Sequence, residues 1–337
     1  MAGHRVGVIG TGGIAQTHVI GYQAAGAEVV ALCDVDPKTL ANRQKQWQVA
    51  NSYSDYNELI ADPTISAVSV CTPNATHHPI TIAAAKAGKH VLCEKPISLD
   101  LAQAEEMIEA CDNAGVVLQV GHHMRSWAAA VQAKELIERG DIGEVTYARF
   151  RQAHDWGGAT TVRGVFGQKA LSGGGTLLDN GCHLFDLARY LGGEVRDVFA
   201  RIATLKFNVE VEDTAIASIG FTSGAMGQIE VAWTATGWQE AFWVYGTEGS
   251  VECDNRIGSN ILTHRYRRSR EMTWDGTDVA TYDLRGGSSH TGHVANFLAA
   301  IEGTRPSVCS GADGREAVRL VLAAYRSAES GTVVALD

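Results

Sequence analysis

The stretch Val6-Gly7-Val8-Ile9-Gly10-Thr11-Gly12-Gly13-Ile14-Ala15 decides the fold of this chain. An apolar, β-branched run breaks into glycines and resumes as a helix-like pattern, which predicts the strand, tight turn and helix of a dinucleotide-binding unit. Gly10 allows the sharp turn, and Gly12 removes the side chain that would keep a pyrophosphate from the backbone. The start of the helix then offers free N–H groups and a partial positive charge to the phosphates.

A second apolar strand, residues 29–33, ends at Asp34, at about the spacing where an acidic residue meets the adenosine ribose. A carboxylate there accepts hydrogen bonds from both ribose hydroxyls and repels a 2′-phosphate, and Val35 supplies no compensating cation. The sequence therefore favours NAD over NADP. The alternative is that Asp34 only forms a turn or caps the helix that begins near Pro37.

Length, charge and cysteine content define the broad class of protein. The chain has 337 residues, a formal net charge of −10 and seven cysteines. That length predicts two domains, and the acidic balance without a basic stripe predicts neither a nucleic-acid nor a membrane partner. No run is apolar enough to span a membrane and no signal peptide precedes the first strand, so we expect a cytoplasmic protein. The cysteines show no metal-ligand or paired spacing, which predicts reduced thiols and no metal site.

The first third of the chain alternates strand and helix patterns, which predicts a parallel, doubly wound sheet with helices on both faces. Ligands of such sheets bind outside the carboxyl ends of the strands. One rim should therefore carry the glycine loop, Asp34 and three short segments, which are Thr72-Pro73-Asn74, Glu94-Lys95-Pro96 and Gly121-His122-His123.

Beyond residue 124 the pattern changes. A helix at 128–139 and a strand at 145–153 precede long strands with hairpin-length turns, which predict an antiparallel or mixed sheet. Two amphipathic helices, 293–301 and 313–330, close the chain. The sequence thus predicts an α/β protein with an N-terminal Rossmann domain, residues 1–123, and a C-terminal α/β domain, residues 124–337.

The segment Glu94-Lys95-Pro96 is the second motif with chemistry. A lysine after a buried strand would put a compact cation on the predicted rim, and Pro96 would fix the turn, with a cis bond as one option. Taken alone, the segment fits a surface lysine before a helix-start proline better than a catalytic one.

The third motif follows three consecutive glycines at 173–175. Asp179 and His183 are four residues apart on a predicted helix that continues to residue 190, so their side chains should share one face. A histidine oriented by a carboxylate is a competent proton acceptor near neutral pH. Taken alone, the two residues fit a pair on a helix surface better than a catalytic pair.

Together and in this order, these motifs resemble the Gfo/Idh/MocA family of oxidoreductases, the family of glucose-fructose oxidoreductase and inositol dehydrogenase. The resemblance implies an NAD(P)-dependent oxidoreductase acting on CH–OH groups. It also implies a large open, mostly antiparallel sheet in the second domain, one face of which commonly makes oligomer contacts, as in a homodimer or homotetramer. The implied cofactor-binding residues are Gly10, Gly12, Gly13, Ile14, Asp34, Val35, Thr72, Pro73, Asn74, His77, Glu94 and Lys95.

By position, Lys95, Asp179 and His183 look like the family's catalytic set. Oxidation of a carbinol leaves a carbonyl, so the hydroxyl proton must go to a base, for which His183 is the candidate. Asp179 would orient His183, and Lys95 would hydrogen-bond the reacting oxygen. The expected reaction is oxidation or reversible reduction of a secondary alcohol of a sugar, polyol or glycoside.

The substrate is less well defined, because many relatives carry an aromatic residue and paired arginines where this chain has Gly121-His122-His123-Met124-Arg125. Only Arg125 matches the second arginine. The residues implied to bind substrate are His122, Arg125, Trp156, Arg163 and Lys169, together with the catalytic set. Surface or core roles stay open for Trp156, Arg163 and Lys169, and packing or capping stays open for His290 and His293.

Two other functions stay open. One is a redox-neutral glycoside hydrolase of the same fold, in which tightly held NAD oxidises the sugar transiently. The other is a protein that senses NAD or sugar without chemistry.

Overall fold

The structure is a computed structural model and describes residues 3–155, 162, 164–258, 261–267, 277–284 and 288–336. The chain divides into two compact units, Met1–Ser126 with Gly287–Val318 and Trp127–Gly286 with Arg319–Asp337. Residues 287–318 thus belong to the first compact unit, although they lie late in the chain. The functional domain assignment, 1–123 and 124–337, stays a prediction.

The N-terminal segment alternates strands and helices as expected. In chain order its elements are β1 (Arg5–Ile9), α1 (Ala15–Ala24), β2 (Glu28–Cys33), α2 (Pro37–Trp47), β3 (Asn51–Tyr53), α3 (Tyr56–Ala61), β4 (Ala67–Val70), α4 (His77–Lys86), β5 (His90–Cys93), α5 (Leu101–Ala114) and β6 (Leu118–Val120).

The rest of the chain is richer in strands. Its elements are α6 (Ala128–Glu138), β7 (Val145–His154), α7 (Lys169–Ser172), α8 (Thr176–Asp179), α9 (Gly181–Gly192), β8 (Val195–Ala203), β9 (Thr214–Phe221), β10 (Met226–Ala232), β11 (Trp238–Gly246), β12 (Gly249–Asp254), α10 (Asn255–Gly258), β13 (Ile261–Arg267), β14 (Thr277–Asp283), α11 (Ser289–Ile301), α12 (Gly311–Ser330) and β15 (Val334–Ala335).

The first sheet has the strand order β3-β2-β1-β4-β5-β6, and every pair in it is parallel. Apart from the short polar edge strand β3, its strands are mostly apolar runs buried on both faces, as a sheet covered by helices on both sides requires. One side of its core contains Val8, Val19 and Leu32. The order reverses between β1 and β4, which is the point where open α/β sheets bind their ligands.

Helix α11 returns the chain to this first unit. Val294, Phe297 and Leu298 recur at helical spacing and pack in one core cluster with Val6 and Tyr22. A Cβ on Gly21 of α1 would lie 2.8 Å from a methyl group of Val294, so the close approach of the two helices requires glycine there.

The second sheet is mixed, with the order β14-β13-β12-β11-β7-β10-β9-β8-β15 among the described strands. Strands β7 and β10 pair in parallel, and the other neighbours are antiparallel. The predicted mixed, mostly antiparallel sheet is therefore confirmed.

Two local predictions need correction or extension. The helix predicted to carry both Asp179 and His183 is divided at Asn180 into α8 and α9. Glycines on both sides of the short first helix, Gly175 and Gly181, favour this division because glycine weakens a continuous helix. The strands that follow residue 249 extend the sheet beyond the part that sequence periodicity indicated.

None of the helices in the described part of the chain is both long enough and apolar enough to cross a bilayer. The cytoplasmic location stays a prediction. All seven cysteines lie in described segments and occur as buried thiols.

Candidate active site

The glycine loop joins β1 to α1 at the carboxyl end of the central strand. Gly10 has a φ of +85°, and a Cβ there would lie 2.5 Å from the Cys71 carbonyl oxygen, so both conformation and space require glycine. At Gly12 and Gly13 an added Cβ would meet no described atom within 4 Å, so the backbone faces open space.

The N-terminus of α1 completes a cradle for phosphate. Its N-cap residue, Ile14, makes no side-chain capping hydrogen bond within the described structure. No described side chain therefore caps the first N–H groups of this ten-residue helix. Those of Gln16 and Thr17 donate to the carbonyls of Gly13, at 3.4 Å, and Ile14, at 3.0 Å, and the helix start keeps its partial positive charge for a ligand. Together with the open glycine backbone, this helix start fits the pyrophosphate of a dinucleotide.

Asp34 follows β2 beside this cradle and is half-buried. Its Oδ2 accepts hydrogen bonds from the backbone N–H and the hydroxyl of Thr11, both at 2.7 Å, and its Oδ1 accepts from the Asp36 N–H at 2.9 Å. Each carboxylate oxygen has two lone pairs, so acceptor capacity for ribose hydroxyls is left. Asp36 rather than Asp34 caps α2, and Val35 is 89% exposed.

The predicted segment Thr72-Pro73-Asn74 follows β4 and leads through a 3₁₀ turn into α4. His77, at the start of α4, is fully buried, with Nδ1 2.8 Å from the Pro96 carbonyl oxygen and Nε2 3.0 Å from the Thr72 carbonyl oxygen. Burial lowers the pKa of His77, although both carbonyls oppose that shift. His77 therefore ties together the loops after β4 and β5, and a direct contact with cofactor stays a prediction.

Glu94, Lys95 and Pro96 follow β5, and the Lys95–Pro96 peptide bond is cis. Lys95 is half-buried, whereas Glu94 is only 5% exposed. Glu94 Oε2 accepts a hydrogen bond from the Lys95 N–H at 3.1 Å, and its Oε1 is 2.9 Å from His18 Nε2. The Glu94 carboxylate thus points into the protein, and only Lys95 of this segment has a partly accessible charge.

The segment after β6 is also mostly buried. His122 is fully buried, and Arg125 donates hydrogen bonds to the Val308 carbonyl and to Asp313 Oδ1, both at 3.1 Å. His293 Nε2 lies 2.8 Å from the Val120 carbonyl oxygen, and burial lowers the pKa of His293 to about 3. His293 therefore packs and bonds inside the first unit, while substrate contacts of His122 and Arg125 stay predictions.

In the second unit, Asp179 ends α8 and His183 lies in the first turn of α9. Both are buried, with 9% and 3% of their surfaces exposed. The indole Nε1 of Trp233, which is fully buried, donates a hydrogen bond to Asp179 Oδ2 at 3.2 Å. A buried donor fixes the carboxylate and lowers the cost of burying its charge.

Glu212 holds the glycines that precede these residues. Its carboxylate accepts hydrogen bonds from the Gly175 N–H at 3.1 Å, the Leu177 N–H at 2.9 Å and the Tyr325 hydroxyl at 2.9 Å. A Cβ on Gly175 would lie 1.8 Å from the Glu212 carbonyl oxygen, so no other residue fits there. The start of α8 is thereby anchored at a fixed position in this unit.

A polar and aromatic group lies beside α8. Asn180 Nδ2 donates to His154 Nε2 at 3.1 Å, and the His154 ring stacks on Trp238 with ring centroids 4.1 Å apart. Lys169 is exposed, and its backbone N–H donates to Glu210 Oε2 at 2.9 Å. Trp156 and Arg163, which we predicted to bind substrate, lie outside the described residues.

The sequence reasoning assigned no site role to His18, Glu212 or Trp233. One signal was present for His18 and its partner Ser69, because each is a polar residue at an otherwise apolar position of α1 or β4. Glu212 and Trp233 lie far from Asp179 in the sequence, and no local pattern links them to it.

The parallel sheet with its glycine loop defines the class of protein: an oxidoreductase that binds a dinucleotide. Residues 4–122 match the model of an oxidoreductase family with an NAD-binding Rossmann fold, and residues 130–252 match the Gfo/Idh/MocA C-terminal domain. The chain belongs to the Gfo/Idh/MocA family.

Named relatives align along nearly the whole chain. Myo-inositol 2-dehydrogenase of Thermotoga maritima is 33% identical over 99% of this chain and 98% of its own, and 1,5-anhydro-D-fructose reductase of Ensifer adhaerens is 32% identical over 99% of both. A solved levoglucosan dehydrogenase in complex with NADH and levoglucosan superposes with a TM-score of 0.91 at 28% identity, covering 99% of each chain. The predicted family, fold class, NAD-dependent oxidoreductase class and NAD cofactor are thus confirmed.

Proposed function

We propose that the protein is an NAD-dependent dehydrogenase that oxidises, or reversibly reduces, a secondary alcohol of a sugar, polyol or glycoside. One observation carries the proposal: a chain with an open NAD-binding glycine loop also has Lys95, Asp179 and His183. A buried glutamate anchors the backbone at Lys95, and another anchors the start of the helix that ends at Asp179. The three relatives named above, two dehydrogenases and one reductase, carry sugar or polyol names, which supports this substrate class.

The first unit supplies the residues that would hold the cofactor. The glycine loop and the N-terminus of α1 would hold the pyrophosphate, and Asp34 would accept hydrogen bonds from the adenosine ribose. NAD, when bound, accepts the hydride from the carbinol carbon.

Three side chains would then bind the reacting hydroxyl, remove its proton, or orient the residue that does so. His183 would take its proton as general base, with Asp179 orienting the imidazole. Trp233 would keep Asp179 in place through its indole N–H. Lys95 would donate a hydrogen bond to the reacting oxygen and stabilise negative charge that develops there.

The proposal is tested by following the absorbance of reduced nicotinamide while the purified protein meets NAD and a panel of inositols, anhydro-sugars, aldoses, sugar acids and glycosides. Growth of the band with one class, abolished in His183→Ala and retained in His78→Gln, would support the dehydrogenase. His78 is a suitable control because it pairs with Glu106 on the surface of α4, at 2.8 Å.

Two outcomes would contradict the proposal. Release of sugar from a glycoside without added NAD would indicate the redox-neutral hydrolase. Binding of NAD and sugar with no turnover of any panel member would indicate a sensor. The homodimer or homotetramer expected from the resemblance stays a prediction, which light scattering would check.

A further inference from the structure

A chain of buried polar side chains crosses the first unit beneath the Lys95 segment. His18 Nδ1 lies 2.9 Å from Ser69 Oγ, which in turn lies 2.8 Å from the Tyr22 hydroxyl. On its other side, His18 Nε2 lies 2.9 Å from Glu94 Oε1. All four residues are at most 5% exposed. Polar groups at such depth are costly unless they are hydrogen-bonded, so this chain depends on each of its links.

Glu94 connects the chain to the backbone of Lys95. One carboxylate oxygen meets His18, and the other accepts the Lys95 N–H. Space around the carboxylate is tight, because a Cβ on Gly121 would lie 2.8 Å from Glu94 Oε1. The Gly121 backbone thus lies close against the carboxylate, and in the observed orientation one carboxylate oxygen meets His18 and the other meets the Lys95 N–H.

The charges support this arrangement. Burial alone would lower the pKa of His18, but the Cys71 thiol and the Glu94 carboxylate outweigh it and raise the pKa to about 10. Burial would raise the pKa of Glu94, but His18 and Lys95 lower it to about 2. Both shifts favour an ion pair between the two side chains, in which His18 is the inward partner of the Glu94 carboxylate.

We propose that His18 is a positioning residue for Lys95: it holds the Glu94 carboxylate in the orientation that anchors the Lys95 backbone. This inference rests on the proposed function, in which Lys95 binds the reacting oxygen. Without His18 the carboxylate loses its inward partner, and the Lys95 ammonium becomes the nearest alternative cation for it. Lys95 would then be drawn away from the position that its role requires.

The test compares His18→Ala and His18→Gln with wild type and with the surface control His78→Gln. Glutamine can place an N–H donor where Nε2 lies but carries no charge, so it separates the hydrogen bond from the charge. Two readouts are needed, which are kcat and KM with the sugar found in the panel, and the rate at which Lys95 reacts with trinitrobenzenesulfonate, measured by peptide mass spectrometry. Exposed Lys86 serves as the internal reference for the reagent.

We expect His18→Ala to lower kcat about tenfold or more with little change in KM, because misplacement of a catalytic group acts on the transition state. The Lys95 modification rate should change several-fold relative to Lys86, and His18→Gln should restore much of both. Should His18→Ala fail to fold, Ser69→Ala, which removes the partner of Nδ1, should give an intermediate loss of kcat and a smaller change in Lys95 reactivity.

A Lys95 modification rate equal to wild type in all His18 and Ser69 variants would overturn the inference, whatever happens to kcat. A loss of kcat that follows only the urea unfolding midpoint would also overturn it, since that pattern indicates a purely structural role. The reactivity of Lys95 is measured without substrate, so this result stands even if no sugar in the panel is oxidised.

Discussion

Both units place a buried glutamate behind a predicted catalytic segment, yet the two glutamates are stabilised in different ways. Glu94 in the first unit holds the Lys95 N–H and has a histidine cation as its partner. Glu212 in the second unit holds the N–H groups of Gly175 and Leu177, and the donors that it meets among the described residues are neutral.

The different partners go with pKa shifts of the two glutamates in opposite directions. The pKa of Glu94 is lowered to about 2, mainly by His18 acting against burial, whereas burial raises the pKa of Glu212 despite three hydrogen bonds. A carboxylate can therefore anchor backbone in an interior either as half of an ion pair or through N–H and O–H donors alone. Only a carboxylate that is paired with a cation resists protonation at mildly acid pH.

The largest expected effect concerns the groups that these glutamates anchor. Lys95→Ala and His183→Ala should each lower kcat by about 10²- to 10⁴-fold, because each removes an interaction with the reacting hydroxyl in the transition state. Affinity for NADH, measured by fluorescence titration, should stay close to wild type. The double variant should lose less than the product of the two single losses if both residues act in one step.

The kinetics of the two single variants also test whether Lys95 in the first unit and His183 in the second both act on the reacting hydroxyl. Near-normal kcat in either variant would remove that residue from the mechanism. A loss confined to NADH affinity in Lys95→Ala would reassign Lys95 to cofactor binding.

The second prediction compares the glutamates directly. Glu94→Gln leaves a buried His18 cation without its counter-ion and should reduce the free energy of unfolding by about 3–5 kcal/mol. Glu212→Gln keeps one acceptor oxygen and strands no charge, so about 1–3 kcal/mol is expected. Urea unfolding of both variants beside wild type checks this, and equal losses would show that the ion pair is not the distinguishing feature.

The third prediction uses the other carboxylate at a strand end of the first unit. Asp34 is half-buried, in contrast to the buried Glu94, and its Oδ1 can accept one more hydrogen bond, so its role should lie in ligand binding rather than in stability. Asp34→Ser should weaken NAD binding about tenfold, the equivalent of about 1.4 kcal/mol, and relax discrimination against NADP. Unchanged preference between the two cofactors would mean that Asp34 does not touch the ribose.

The sequence alone predicts a feature of the fold or of the candidate site best where the residues that form it lie close together along the chain. Strand β5 and helix α5 agree residue for residue with the periodicity of the chain, because apolar runs and helix caps are local signals. The turn of the glycine loop could also be predicted, since a positive φ at Gly10 requires a particular residue type.

Contacts between residues far apart in the sequence could not be predicted. Strands β7 and β10 pair in parallel although the residues that pair lie about 80 positions apart, and no local pattern encodes that register. The inward orientation of Glu94 depends on His18, which is 76 positions away, and Glu212 meets Tyr325 at a separation of 113. The sequence therefore provides candidate residues for the chemistry but not the buried groups that hold their backbone.

The fourth prediction is the pH dependence of stability, for which the two glutamates should have opposite signs. Glu94 has a lowered folded pKa, so its contribution is present above the unfolded value near 4.5 and is lost as the pH falls toward 2. Glu212 has a raised folded pKa, so its contribution is fully present below the unfolded value and is lost as the pH rises through the folded one.

His18 adds a third contribution to the pH dependence of stability, because its folded pKa is raised to about 10. Its contribution is fully present below about pH 6.5 and is lost as the pH rises through 10. Urea midpoints between pH 6 and 10 should therefore fall less steeply in His18→Gln than in wild type. Parallel slopes would show that His18 is not a buried cation, and the contrast between the units would disappear.

The smallest expected effect is that of Tyr325→Phe, which removes the hydroxyl that donates to Glu212 at 2.9 Å. Glu212 keeps the two backbone N–H groups, so the free energy of unfolding should fall by only about 0.5–1.5 kcal/mol. With one donor fewer, the pKa of Glu212 should rise further, so the loss should be larger at pH 8 than at pH 5. Tyr147→Phe is the matched control, since the Tyr147 hydroxyl donates to an uncharged amide, Gln228 Oε1 at 3.3 Å, and its removal should have no such pH dependence. A Tyr325→Phe loss that is the same at both pH values would mean that Glu212 does not change its protonation between them, and the two glutamates would then differ in their partners but not in their charge.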